Sequence, residues 1–189
     1  MSLLPVSSEL NKIARAIAHS EGQGILVGGA VRDHFMDRKI SKDLDVEVFG
    51  LSMQELESVL QKFGKVHAAG KSFGVLKLKT PTAEYDFSLP RREQKTGKGH
   101  RGFKIITDPA MSFKEAASRR DFTVNSMGYD LLDNTLLDPF EGIEDIKHKI
   151  LRHVGPAFAE DPLRVFRAMQ FSARLELKFQ LKLQISAEN

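Results

Sequence analysis

The stretch GILVGGAVRD, Gly24 to Asp33, followed by KDLDVEV from Lys42, restricts the fold of this chain more than any other feature. Ile25, Leu26 and Val27 form an apolar run suited to a buried strand, and the Gly28-Gly29 pair lets the backbone turn tightly into a helix over roughly Ala30 to Met36. A second strand is predicted over Leu44 to Phe49. Glycine turn and second strand lie close enough in sequence for two neighbouring strand ends to face one cavity.

The remaining elements interleave helices with strands, which predicts a mixed α/β (α+β) unit. Ser8 is placed to cap a first helix with Leu10, Ile13, Ala14 and Ile17 on one face, stopped by Gly22 and Gly24. Ser52 with Glu55, and Ser112 with Glu115, have capping-box spacing. The first box opens a helix with Met53, Leu56, Leu60 and Phe63 inward, and the second a helical region running toward Met127. Short strands are expected over Val66 to Ala68, Val75 to Leu78 and Glu84 to Ser88, and the basic segment after Leu89 reads as a loop. A hairpin is predicted around Leu132 to Leu137, turning at Asp133-Asn134, and a helix over Ile143 to Lys147. A last helix is expected over Glu160 to Leu175, with Asp161 at the cap and Pro162 at the first helical position. A domain boundary falls near Arg152 to Phe158. In the tail, Leu175, Leu177, Phe179, Leu181, Leu183 and Ile185 alternate strictly and predict a strand.

Length and composition narrow the chemistry. With 189 residues and 41% apolar content, the chain has material for one domain, or one domain and the start of another. It has no cysteine, which removes disulfides and thiolate metal sites and leaves oxygen or imidazole ligands for any metal. No apolar run is long enough to span a bilayer, and the N-terminus lacks a signal-peptide pattern, so the expected location is the cytoplasm. Lys and Arg number 28 against 25 Asp and Glu, a net charge of only +3. The positive charge is instead local: Arg91, Arg92, Lys95, Lys98, Arg101 and Lys104 stand against the single acid Glu93.

Four segments carry residues suited to phosphate and metal chemistry. Asp43 and Asp45 project from one strand face, with Glu47 continuing the row. Such a row suits magnesium, which takes a few carboxylate oxygens and fills its other positions with water and substrate phosphate. It also suits the polar side of an edge strand. The Gly28-Gly29 turn brings backbone N–H groups close to an anion, with Arg32 adding charge at a helix start. A two-metal scheme has use for a third carboxylate, for which Asp86 is the best candidate and Glu84 and Glu47 its competitors. In SRRDFTVNSM, Arg119 and Arg120 can fork onto phosphate or ribose oxygens, while Asp121 and Asn125 can accept from a ribose hydroxyl. A helix terminus capped by Asp121 is the plainer alternative. In EDPLRVFR, Asp161, Arg164 and Arg167 follow one helical face and offer acceptor and donor groups to the edge of a base; a helix cap with a surface ion pair explains the same residues.

Together and in this order, GGAVRD, KDLDVEV, RRDFTVNSM and EDPLRVFRA resemble the class II tRNA nucleotidyltransferases and the related bacterial poly(A) polymerases, over roughly Gly24 to Leu175. The resemblance implies a polymerase-β-like head over residues 1–152 joined to the start of a helical neck over 153–189. The implied activity adds CMP and AMP from CTP and ATP to the 3′ end of tRNA, or of another RNA, without a nucleic-acid template. Asp43 and Asp45 would hold Mg2+, with Asp86 at the third carboxylate position, and Gly29 and Arg32 would hold the triphosphate. Arg120 and Asp121 would face sugar and phosphates, supported by Asn125. Asp161 and Arg164 would pair with the incoming base, assisted by Arg167. LPRREQKTGKGHRGF looks like the flexible loop of the bacterial members.

Two departures bear on this expectation. Gln170 stands where many members carry a further arginine, and members are normally far longer, so the chain is expected to lack the body and tail surfaces that hold tRNA. Poly(A) synthesis and partial CC or A addition share all four motifs and remain alternatives. A noncatalytic nucleotide- or RNA-binding fragment is the alternative of a different class.

Overall fold

The computed structural model describes residues 4–40, 43–67, 74–95, 103–155, 158 and 162–180; for 93–95, 103–105 and 162–165 it describes the backbone alone. Helix α1 (Ser8–His19) leads into β1 (Gln23–Val27), α2 (Gly29–Phe35), β2 (Leu44–Phe49), α3 (Met53–Leu60), β3 (Lys65–His67), β4 (Val75–Lys79) and β5 (Glu84–Ser88). Then follow β6 (Arg91–Lys95), β7 (Phe103–Thr107), α4 (Phe113–Ser118), a 3-10 turn over Thr123–Asn125, β8 (Gly128–Asp130) and β9 (Leu136–Leu137). Helix α5 (Gly142–Lys147), β10 (Ile150–Arg152), α6 (Pro162–Leu175) and β11 (Lys178–Gln180) complete the described chain. The expected mixed α/β fold is what forms.

The main sheet has seven strands in the order β3-β4-β5-β2-β1-β8-β9. The β2–β5 pair is parallel and the other pairs antiparallel. Strand alternation separates its two faces. Leu26, Val46, Val48, Leu76, Leu78 and Phe87 pack against Leu10, Ile13 and Ile17 of α1 and Leu56 and Leu60 of α3. On the other face Ile25, Val27 and Phe49 meet Ala116 of α4 and Met111 just before it. A separate cluster of Phe122, Phe158, Phe171, Leu175 and Leu177 ties α6 to the 3-10 turn.

Both capping boxes form as their spacing predicts, and Asn134 takes the left-handed conformation, φ 55°, in the β8–β9 hairpin. Four expectations are corrected. The first cap is Ser7, whose Oγ accepts from Leu10 N at 3.1 Å, with Ser8 already helical. The segment after Leu89 is not a plain loop: β6 and β7 pair antiparallel, Arg91 opposite Thr107 through Lys95 opposite Phe103. Residues 96–102, between those strands, lie outside the described residues, as does Ala68 at the end of the expected third strand. The helix begun at Ser112 ends at Ser118 instead of running toward Met127, because Phe122 turns away into the aromatic cluster beside α6. In the tail, Leu175 still belongs to α6, so the expected strand starts later: Lys178–Gln180 form it, parallel to β10, and Leu181, Leu183 and Ile185 lie outside the described residues.

Candidate active site

Strand order places the site. β1 ends where β2 begins, with Val27 opposite Asp45. The chain leaves β1 through Gly28 at φ 71°, a left-handed conformation that strains a side chain, and a Cβ there would stand 3.8 Å from Asp45 Oδ2. β5 runs parallel to β2 on the other side, which sets Asp86 opposite Asp45. One strand further out, Lys77 is opposite Asp86, and its Nζ donates to Asp86 Oδ2 at 2.9 Å.

A cleft of about 1000 Å³ opens over this junction, and among the residues lining it are Gly29, Arg32, Asp43, Asp45, Arg120, Asp121, Asn125 and Arg167. The start of β2, helix α2, the RRDFTVN segment and α6 therefore bring eight of the predicted residues to one space. Asp86 stands beside Asp45 on the neighbouring strand and is not part of that lining. Asp161 lies outside the described residues; Arg164 belongs to α6 by its backbone, with its side chain outside the description.

Partial burial, then the charge of Asp86, and further Asp43, push the Asp45 carboxyl above the ordinary aspartate pKa, while Arg120 and Lys77 oppose the rise. Gathered carboxylates of this kind gain from a cation. Their donors are hard oxygens, suited to a divalent ion such as Mg2+. Among the described residues no group of three or more His, Asp or Glu side chains is arranged to hold a metal by itself. Two aspartates with water and phosphate oxygens in the other positions meet that description, since magnesium keeps several non-protein ligands.

Glu47 does not extend the metal row, nor does it serve as the third carboxylate. It is 1% exposed; its Oε1 accepts from Arg119 Nη2 at 3.0 Å and its Oε2 from Arg120 Nη2 at 2.7 Å. Strand alternation predicts its face correctly but not its depth. Glu84, the other competitor, pairs with Lys79 at 2.9 Å on the exposed surface.

Along the cleft wall a polar chain joins three elements. Arg32, buried, donates through Nε and Nη2 to Asp33 Oδ1 at 2.8 and 2.7 Å, and through Nη1 to Asn125 Oδ1 at 2.6 Å. Asn125 Nδ2 donates to Asp121 Oδ1 at 3.0 Å, and Asp121 Oδ2 accepts from Arg167 Nε at 2.9 Å and Nη2 at 2.5 Å. A guanidinium has five donors, so Arg32 keeps an N–H on each terminal nitrogen beyond these bonds. Asp121 does not cap a helix end: its Oδ1 accepts from Phe122 N, before the 3-10 turn. Burial lowers the Arg120 pKa, and the Glu47 charge opposes that.

The cleft also has residues the sequence reading passed over: Asp33, Arg38, Lys39, Phe171 and Arg174. Phe171 lies under three guanidiniums, those of Arg174 at 4.7 Å, Arg167 at 5.1 Å and Arg32 at 5.5 Å from its ring centre. The spacing Arg167, Phe171, Arg174 on one face of α6 was the available signal.

A glycine turn abutting an aspartate pair on a mixed sheet, facing a wall of arginines, defines a nucleotidyltransferase-type head. Residues 25–152 match the poly A polymerase head domain, and the chain belongs to that family. It is similar to the multifunctional CCA protein of Xylella fastidiosa (strain 9a5c), 45% identical over 150 residues, which are 79% of this chain and 34% of that protein. The multifunctional CCA protein of Stenotrophomonas maltophilia (strain R551-3) is 45% identical over 148 residues, 78% of this chain and 34% of the relative. The chain thus spans about a third of the length of these curated relatives. Among solved structures it is similar to the Bacillus stearothermophilus CCA-adding enzyme in complex with CTP, with TM-score 0.74 and 28% identity, covering 91% of this chain and 40% of that one. A tRNA nucleotidyltransferase complexed with a primer tRNA and an incoming ATP analog gives TM-score 0.72 and 29% identity, covering 89% and 46%.

Proposed function

We propose that the chain carries the catalytic head, residues 1–152, and the start of the neck, 153–189, of an RNA nucleotidyltransferase that adds CMP and AMP from CTP and ATP to the 3′ end of tRNA. The observation that carries this reading is the junction of strand ends, where Gly28-Gly29 abuts Asp45 at the floor of a cleft walled by Arg120, Asp121, Asn125 and Arg167. Relatives named as CCA proteins and a CCA-adding enzyme in complex with CTP support it.

In this reading Asp43 and Asp45 hold Mg2+, which when bound acidifies the attacking hydroxyl and neutralises charge on the triphosphate. The RNA 3′ oxygen forms a bond to the α-phosphorus, and the bond from that phosphorus to the oxygen bridging to the β-phosphate breaks, releasing pyrophosphate. Gly29 lets the backbone approach the triphosphate, and Arg32 and Arg120 offer it guanidinium donors. Asp86, held by Lys77, supplies the third carboxylate beside Asp45. Asp121, fixed by Asn125 and Arg167, orients the sugar. Asp161 and Arg164 read the base. A protein that works on tRNA in this way would act in the cytoplasm; among the described residues no helix is long and apolar enough to cross a membrane.

The test is magnesium-dependent incorporation of labelled CTP and ATP into tRNA lacking its CCA end. Ordered addition of C and then A supports this reading. The match to a poly A polymerase head favours a second one, poly(A) addition, and long A tracts would select it. Nucleotide binding without incorporation into any RNA would leave a noncatalytic nucleotide-binding unit.

A further inference from the structure

Glu47 is the most deeply buried carboxylate among the described residues, 1% exposed, and the proposed chemistry gives it no task. It lies in the middle of β2, two residues beyond Asp45, opposite Ile25 on β1 and Ser88 on β5. A carboxylate this deep in a sheet is costly, and an apolar residue would pack the position at less cost. What the charge adds is geometry. Its two oxygens take one guanidinium each, from Arg119 and Arg120.

The two arginines then diverge. Arg120 lines the cleft with Asp45, whereas Arg119 lines a separate hollow with Arg91 and Arg92. Arg120 is held from three sides: by Glu47 at 2.7 Å, by its Nη1 donating to the Asn125 carbonyl at 3.3 Å, and by the Phe113 ring at 5.9 Å. Of these, only Glu47 carries a charge. An arginine at a chain bend after a short helix keeps many rotamers, and a paired carboxylate removes most of them.

We propose that Glu47 is a positioning residue that fixes the Arg120 guanidinium at the cleft wall, where Arg120 meets the phosphates of the bound nucleotide. This rests on the reading of the cleft as a nucleotide site. The alternating Asp43, Asp45, Glu47 row thus divides its work: the first two carboxylates face the cleft, and the third, sealed under the sheet face, holds the cation that shares it.

A double-mutant cycle on the full chain tests this, with CTP affinity in Mg2+ and the thermal midpoint both measured. Glu47→Gln keeps the shape but puts an NH2 group where a guanidinium needs an acceptor. The expected result is about tenfold weaker CTP binding for Glu47→Gln and for Arg120→Lys, with the double variant within about twofold of Arg120→Lys alone. In an Arg119→Lys background, Glu47→Gln still costs about tenfold. A lower thermal midpoint with unchanged CTP affinity, or losses that multiply in the double variant, overturns the proposal. If Glu47→Gln does not fold, Glu47→Asp, which keeps the charge on a shorter arm, goes through the same cycle with the same expectations. Absence of CTP binding by the unsubstituted chain overturns the nucleotide-site reading, and the role of Glu47 with it.

Discussion

At Asp45, desolvation and the charges of Asp86 and Asp43 outweigh the pull of Arg120 and Lys77, so the folded protein binds this proton more tightly than the unfolded chain does. By linkage, metal-free stability falls as pH rises from the unfolded aspartate pKa through the raised folded value, and the penalty is fully present above it. Asp45→Asn is therefore expected to raise the metal-free melting temperature at neutral pH. If Asp43 and Asp45 hold Mg2+, the ion is expected to raise the melting temperature of the unsubstituted protein and to leave that of Asp45→Asn unchanged; calorimetry with and without Mg2+ measures both. At this scale the motifs singled out Asp43, Asp45, Arg120, Asp121 and Asn125 by residue type and spacing, and the fold brings all five to one cleft. Glu47 was not legible, since alternation along a strand reports a face and not what covers it. Phe171 reads in sequence as an ordinary core aromatic until three arginines are found over its ring.

Among the elements, α1 is fastened to the β4–β5 turn by one carboxylate. Glu9 Oε2 accepts from Thr82 Oγ1 at 2.7 Å, Thr80 Oγ1 at 2.9 Å and Tyr85 Oη at 3.0 Å. These bonds, the Thr82 one foremost, hold its pKa below the usual glutamate value. A depressed carboxylate stabilises the fold above its unfolded pKa, and that contribution is lost as pH falls through the folded value. Glu9→Gln accordingly flattens the acid side of a stability-against-pH curve followed by urea unfolding, and leaves the slope near pH 8 unchanged. Close packing gives a second prediction: a Cβ on Gly128 would fall 2.5 Å from Phe113 Cζ and 2.7 Å from Ile25 Cγ2. Gly128→Ala is expected to destabilise by about 1–3 kcal/mol in the same assay. Local signals predicted the elements that local bonds define, such as both capping boxes. They failed where partners are remote: β6 and β7 pair across a basic segment, and the helix from Ser112 yields to the pull of Phe122 into the cluster beside α6.

Across the whole molecule, the sheet and α6 stand on different apolar clusters, and the cleft lies where the two meet. Phe171 belongs to both arrangements, packed on Phe122 at 5.5 Å between ring centres and lying under guanidiniums of the cleft wall. Phe171→Ala is expected to cost about 3 kcal/mol of stability and to weaken CTP binding by more than about tenfold as Arg32, Arg167 and Arg174 lose their common platform. Urea unfolding and CTP titration measure the two effects. The order of helices and strands predicted an α/β unit, but no local pattern could show that α6 closes the cleft. The central claim, a magnesium-dependent nucleotide site built on Asp43 and Asp45, is tested most directly by titrating CTP into the chain and into Asp43→Ala/Asp45→Ala, with Mg2+ and with chelator. Saturable binding that needs Mg2+ and weakens at least about tenfold in the variant is the predicted result. Binding of equal strength in all four titrations would contradict it.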